Sequence, residues 1–120
     1  MHSELERRHL VDVERAHGLP TGRRQRAAGK TRQDAYYDEF ATVVELDGRV
    51  VHVLSDASWR DMVRDNATAE RGETTLRYGW QDVRHRPCEV AAQMANVLRA
   101  NGWTGHARPC RPGCPVAEIP

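Results

Sequence analysis

Thr42-Val43-Val44-Glu45-Leu46-Asp47-Gly48-Arg49-Val50-Val51-His52-Val53-Leu54 is the stretch whose reading decides the fold. Two runs rich in β-branched residues flank Asp-Gly, the dipeptide that best tolerates the left-handed positions of a tight hairpin turn. The reading is a strand over 42–46, a turn at Asp47-Gly48 and a second strand over 49–54. An extended stretch over 32–37 precedes this hairpin, and a basic loop running to about Lys30 precedes that.

Helices frame these strands. A first helix is expected from Glu4 to His17, capped by Ser3, with Glu6 at the capping-box position. Leu5, His9, Val13 and Ala16 form its inward stripe, and Gly18 and Pro20 stop it. His9 is an odd occupant of such a stripe. A second helix is expected over 58–70, with Trp59, Met62, Val63, Asn66 and Ala67 inward and Gly72 ending it. Thr74 to Tyr78 reads as a short strand. Pro87 suits the first turn of a last helix, with Val90, Met94, Val97 and Leu98 inward and Gly102 closing it. The expected order is helix, three extended segments, helix, strand, helix. This is an α/β (α+β) domain over 1–102, a small mixed sheet flanked by helices. The segment 103–120 carries four of the six prolines without periodicity and reads as a tail.

The chain has 120 residues, 39% apolar and 29% charged, which suits one polar globular domain. No apolar run exceeds three residues, so no membrane span is expected. Three cysteines without an export signal point to a reducing, cytoplasmic setting. Net charge is +1, but residues 22–33 hold five bases and no acid, while residues 34–47 hold five acids and no base. Such a junction suits either a metal site beside a phosphate path or a solvated loop followed by a polar sheet rim.

Glu45 and Asp47 are two apart, so on one strand they share a face, and Asp34 lies one strand earlier. Carboxylates brought together repel unless a cation joins them, and a hard ion such as Mg²⁺ takes oxygen ligands. His52, on the next strand, could then take a proton from a metal-bound water. The alternative is that Asp47 serves the turn and Glu45 is an exposed strand residue.

Val43-Val44-Glu45-Leu46-Asp47-Gly48 followed by His52 resembles the core signature of the very-short-patch-repair-like endonuclease domains. The nearest likeness is to the bacterial set named domain of unknown function 559, within the PD-(D/E)XK nuclease superfamily. Ser3-Glu4-Leu5-Glu6-Arg7-Arg8, Arg24-Gln25, Asp34, Trp59-Arg60-Asp61, Arg64-Asp65-Asn66 and Leu76-Arg77-Tyr78-Gly79-Trp80 resemble further family blocks in order. The resemblance implies a DNA endonuclease using Mg²⁺ or Mn²⁺. Asp34, Glu45 and the Leu46 carbonyl would be the metal ligands. Asp47 would stand where the superfamily usually has Lys, and His52 would be base or proton shuttle. Glu6 and Gln25 would assist at the metal, and Arg60 and Arg64 would face DNA phosphates, with room for a DNA-binding partner. The alternative is a catalytically inactive nuclease-like module that binds DNA or regulates, in a defence or toxin–antitoxin setting.

Cys88, Cys110 and Cys114, with His85 or His106, have spacings that can hold a structural Zn²⁺. The alternative is three free thiols. Patch-repair enzymes carry their own structural zinc just after the matched His, where this chain has Val53-Leu54-Ser55.

Overall fold

The computed structural model describes residues 3–28, 31–47 and 56–118. The first helix, α1, spans Glu4–Arg8 and is capped by Ser3, whose Oγ accepts the Glu6 amide at 3.1 Å. It continues as a π-helical segment over His9–Arg15, with Ala16 N bonded to Val11 O at 3.1 Å and Leu19 N to Glu14 O at 3.0 Å. The wider turn changes which residues face inward. His9, Val13, Glu14 and His17 are buried, while Ala16, expected inside, is exposed.

His9 and Glu14 have internal partners. His9 Nδ1 accepts from Arg24 at 3.1 Å, which leaves Nε2–H to donate to Met94 Sδ at 3.2 Å. Burial, reinforced by the Arg24 charge, pushes the His9 pKa down to about 3, so its ring is neutral. Glu14 pairs with Arg24 and accepts the Tyr37 hydroxyl at 2.7 Å and the Gly22 amide at 3.2 Å. Removing one partner of such a buried pair costs about 3–5 kcal/mol.

The expected basic loop is instead strand β1, Arg23–Ala28, antiparallel to β2, Thr31–Tyr37. Its arginines read as loop because their partners are remote in sequence. Arg23 pairs with Asp38 at 2.7 Å, Arg24 with Glu14, and Arg26 with Glu73 at 3.1 Å. Arg26 also lies 3.3 Å from the centroid of the Tyr36 ring. Arg23, Arg24 and Arg26 of the basic block are therefore strand residues paired with acids.

β3, Thr42–Leu46, pairs antiparallel with β2 and parallel with β4, Thr74–Tyr78. Among the described residues the sheet order is β1-β2-β3-β4, so β3 has a neighbour on each side. The expected hairpin partner over 49–54 lies outside the described residues. Helix α2, Asp56–Glu70, carries the chain from β3 to β4. Its expected inner face is only partly realised. Met62 is 57% and Val63 49% exposed, and Asn66 is exposed, while Thr68 is buried and Arg64 turns to the sheet.

A short helix α3, Trp80–His85, was not anticipated, and it starts with the Gly79 amide donating to Asp82 at 3.0 Å. Helix α4, Pro87–Ala100, starts at Pro87 as expected and buries Val90, Met94 and Leu98. Each such side chain stabilises the fold by roughly 1.5–3 kcal/mol. They pack with Leu5, Val13, Ala35, Tyr37, Val44 and Tyr78 on one face of the sheet. Ala107, Cys114 and Val116 from the proline-rich segment belong to the same cluster, so this segment packs against the core of the domain.

Candidate functional site

Register sets up the acidic site. Arg24 pairs with Ala35 and Arg26 with Gln33, which puts Gln25 opposite Asp34. Ala35 pairs with Val44, which puts Asp34 opposite Glu45, and Glu45 pairs with Arg77. Gln25, Asp34, Glu45 and Arg77 thus form one row across the four strands. Gln25 has φ 57°, an unusual left-handed conformation for a residue with a side chain. Its amide donates to Glu6 Oε2 at 2.9 Å, joining α1 to the row.

The β2–β3 ladder gives way at this row. The Asp34 amide donates to the Glu45 carboxylate at 3.3 Å, and the Leu46 amide donates to Asp34 Oδ2 at 2.6 Å. Arg64 from α2 reaches Glu45 Oε2 at 2.9 Å. Burial pushes the Asp34 pKa up to about 6, and the Glu45 and Glu6 carboxylates add to the rise against the lowering hydrogen bond from Leu46.

Glu6, Gln25, Asp34, Glu45 and Arg64 are therefore brought together from separate elements, with Arg64 paired to Glu45 where the reading had it facing phosphates. Glu45 is 6% exposed, which removes the alternative of an exposed strand residue. Asp47 differs. It lies beyond β3 with its amide bonded to the Tyr78 carbonyl at 3.1 Å. Among the described residues, the groups of three or more acidic, His or Cys side chains placed to hold a metal do not include Asp34, Glu45 and Asp47. His52 and the Arg60 side chain lie outside the described residues.

A second cluster forms where the proline-rich segment meets α4. Ligand atoms of His17, Cys88, Cys110 and Cys114 lie within 4.8 Å of one another. Cys88 opens α4, and the turn Cys110-Arg111-Pro112-Gly113-Cys114 brings the other two thiols beside it, with Cys88 Sγ 3.5 Å from Cys110 Sγ. Burial pushes the Cys88 thiol up to about 12. Burial would raise Cys114 too, but the Cys110 and Val116 amides, with Cys88 and His17 alongside, bring it down to about 6.

The histidine differs from the expected His85 or His106. His85 is exposed at the end of α3, and His106 is exposed and bonded to Arg99. His17 takes the place because the segment folds back over the first helix, with Arg108 N donating to His17 O at 2.7 Å. Gly18 makes room: it has φ 66°, and a side chain there would meet Arg108 Nε at 2.6 Å. The signal available in the sequence was the spacing His9, Val13, His17, a second polar residue on an inward helical stripe.

Comparison of the chain with family models, with curated proteins and with solved structures gives no match. No helix among the described residues is long and apolar enough to cross a membrane.

Proposed function

We propose that this chain is a metal-dependent DNA endonuclease of the PD-(D/E)XK kind, hydrolysing phosphodiester bonds where β2 and β3 part. The observation that carries the reading is the crowding of carboxyl groups there. Asp34 is driven up to about 6 by burial and by neighbouring Glu45 and Glu6. A partly buried carboxyl beside two others is electrostatically costly, and a divalent cation offsets that cost. The all-oxygen donor set fits Mg²⁺ or Mn²⁺, with Asp34, Glu45 and the Leu46 carbonyl as ligands. Bound there, the ion supplies Lewis-acid charge to a phosphoryl oxygen and acidifies a water.

The chain's own residues have distinct tasks. Asp34 must be ionised to bind a cation, and with a pKa of about 6 it is mostly ionised at neutral pH. Gln25 holds the Glu6 carboxylate at 2.9 Å, where it can orient a water. Arg64 and Arg60 supply positive charge for DNA phosphates, with Arg64 exchanging Glu45 for phosphate. His52 serves as proton acceptor.

One observation favours a second reading, a nuclease-like module without activity that binds DNA or regulates. Arg64 and the Leu46 amide already satisfy Glu45 and Asp34 at 2.9 and 2.6 Å, as in a site that needs no cation. The test is cleavage of supercoiled and single-stranded DNA by the purified chain with Mg²⁺, Mn²⁺ or EDTA. Divalent-dependent nicking that disappears in Asp34→Asn and Glu45→Gln supports the enzyme. Nicking that survives both substitutions sinks the site, and DNA binding without cleavage supports the module.

A further inference from the structure

We propose that His17, Cys88, Cys110 and Cys114 form a structural Zn²⁺ site that fastens the proline-rich segment to the first helix and to the start of α4. The site shares no residue with the acidic row and does not depend on the nuclease reading. Three thiols and an imidazole form the donor set that a borderline-soft ion such as zinc selects over Mg²⁺ or Ca²⁺. The ligand atoms lie within 4.8 Å of one another, and Cys88 Sγ and Cys110 Sγ are 3.5 Å apart. A tetrahedron with Zn–S bonds of about 2.3 Å has ligands separated by about 3.8 Å, so small side-chain movements close the site.

The histidine supplies independent support. His17 is fully buried, and its Nδ1 lies 2.8 Å from the Val13 carbonyl. A carbonyl only accepts, so Nδ1 carries the proton and Nε2 presents its lone pair. That Nε2 is buried without a hydrogen-bond partner, a costly state that a metal bond removes. A metal-binding imidazole whose other nitrogen donates to a backbone carbonyl is the usual arrangement at zinc sites.

Charge fits as well. Three thiolates and a neutral imidazole around Zn²⁺ leave a net charge of about −1. Arg111 lies beside the sulfurs, its Nη1 3.6 Å from Cys110 Sγ and 3.9 Å from Cys88 Sγ. Four protein ligands close the coordination shell, so the ion is structural and leaves no position for substrate.

The experiment measures metal in the full-length chain purified without a histidine tag. Elemental mass spectrometry should give about one zinc per chain, and Co²⁺ exchange should give the visible absorption of a tetrahedral thiolate site. Cys114→Ser and His17→Ala should lose the metal, while His85→Ala and His106→Ala should retain it. His17→Cys, which restores a fourth ligand, should recover zinc and so separates ligand loss from misfolding. Chelation of the native protein should lower its melting temperature by roughly 10 °C or more. The proposal is overturned by no zinc in the native protein together with no uptake on adding Zn²⁺. It is equally overturned by retention in His17→Ala, or by a Cys88–Cys110 disulfide in protein kept under reducing conditions.

Discussion

The acidic row and the Cys/His cluster present two ways of assembling metal-type ligands in one small domain. The row sets oxygen donors across a sheet, and the protein has already given them partners. Arg64 holds Glu45, the Leu46 amide holds Asp34, and Gln25 holds Glu6. The cluster sets sulfur and nitrogen donors at a junction of helix and folded-back segment, and leaves His17 Nε2 buried without a partner. Internal partners make a group of carboxylates that is stable without a cation. An unpartnered buried nitrogen makes a site that is complete only when filled. The difference teaches that proximity of ligand atoms is a poor guide to function unless each atom's remaining partners are counted.

Reciprocal substitutions break or confirm this contrast most strongly. Glu45→Ala should reduce cleavage by about a thousandfold or more, since a lost ligand removes several kcal/mol of transition-state stabilisation. Its zinc content should stay at that of the parent chain. Cys114→Ser should do the reverse, destabilising the fold by several kcal/mol while any residual folded protein still cleaves. Loss of zinc in Glu45→Ala, measured by elemental analysis, would merge the two sites into one.

A smaller effect is expected at the charged lid of the row. Arg64→Ala should change stability by no more than about 1 kcal/mol, because the pair is partly exposed. With its internal cation removed, the row should bind Mn²⁺ up to about tenfold more tightly by titration calorimetry, while DNA of every sequence binds more weakly and with a shallower salt dependence. Unchanged metal affinity would separate Arg64 from the metal site.

The smallest effect is in pH. Asp34 binds its proton more tightly when folded, with a pKa of about 6 against 3.8, so metal-free protein loses stability as pH rises through that window. Mn²⁺ should reduce this loss, and Asp34→Asn should remove it. His9 acts with opposite sign: its folded pKa of about 3 lies below 6.5, so its contribution is lost as pH falls below 6.5. Denaturant titrations of the parent chain, Asp34→Asn and His9→Gln between pH 4 and pH 7 would separate the two slopes. An unchanged slope in Asp34→Asn would place the acidic crowding elsewhere.

Local pattern by itself determined much of this protein. Strand 42–46, strand 74–78, the last helix from Pro87 and the cap at Ser3 were all legible, because their signals lie within a few residues of one another. The grouping of Asp34 with Glu45 was legible for a related reason: both sit on strands, and period-two alternation is a local property. Their functional roles rest on resemblance, which local physics does not replace. Tertiary structure alone decided the rest. Arg23–Ala28 became a strand because its arginines find Glu14, Asp38 and Glu73, and a strand whose polar side chains are paired at long range carries no local β signature. Met62 and Val63 face outward because Arg64 and Thr68 take the sheet side of α2. His17 replaced His85 and His106 because a π-helical turn rotates it inward and the returning chain seals it there. Such pairings join residues from 10 positions apart, as in Arg24–Glu14, to 47, as in Arg26–Glu73, and further still for His17 with Cys88, Cys110 and Cys114, and the gain from meeting exists only once the core has offset the entropy of closing those loops.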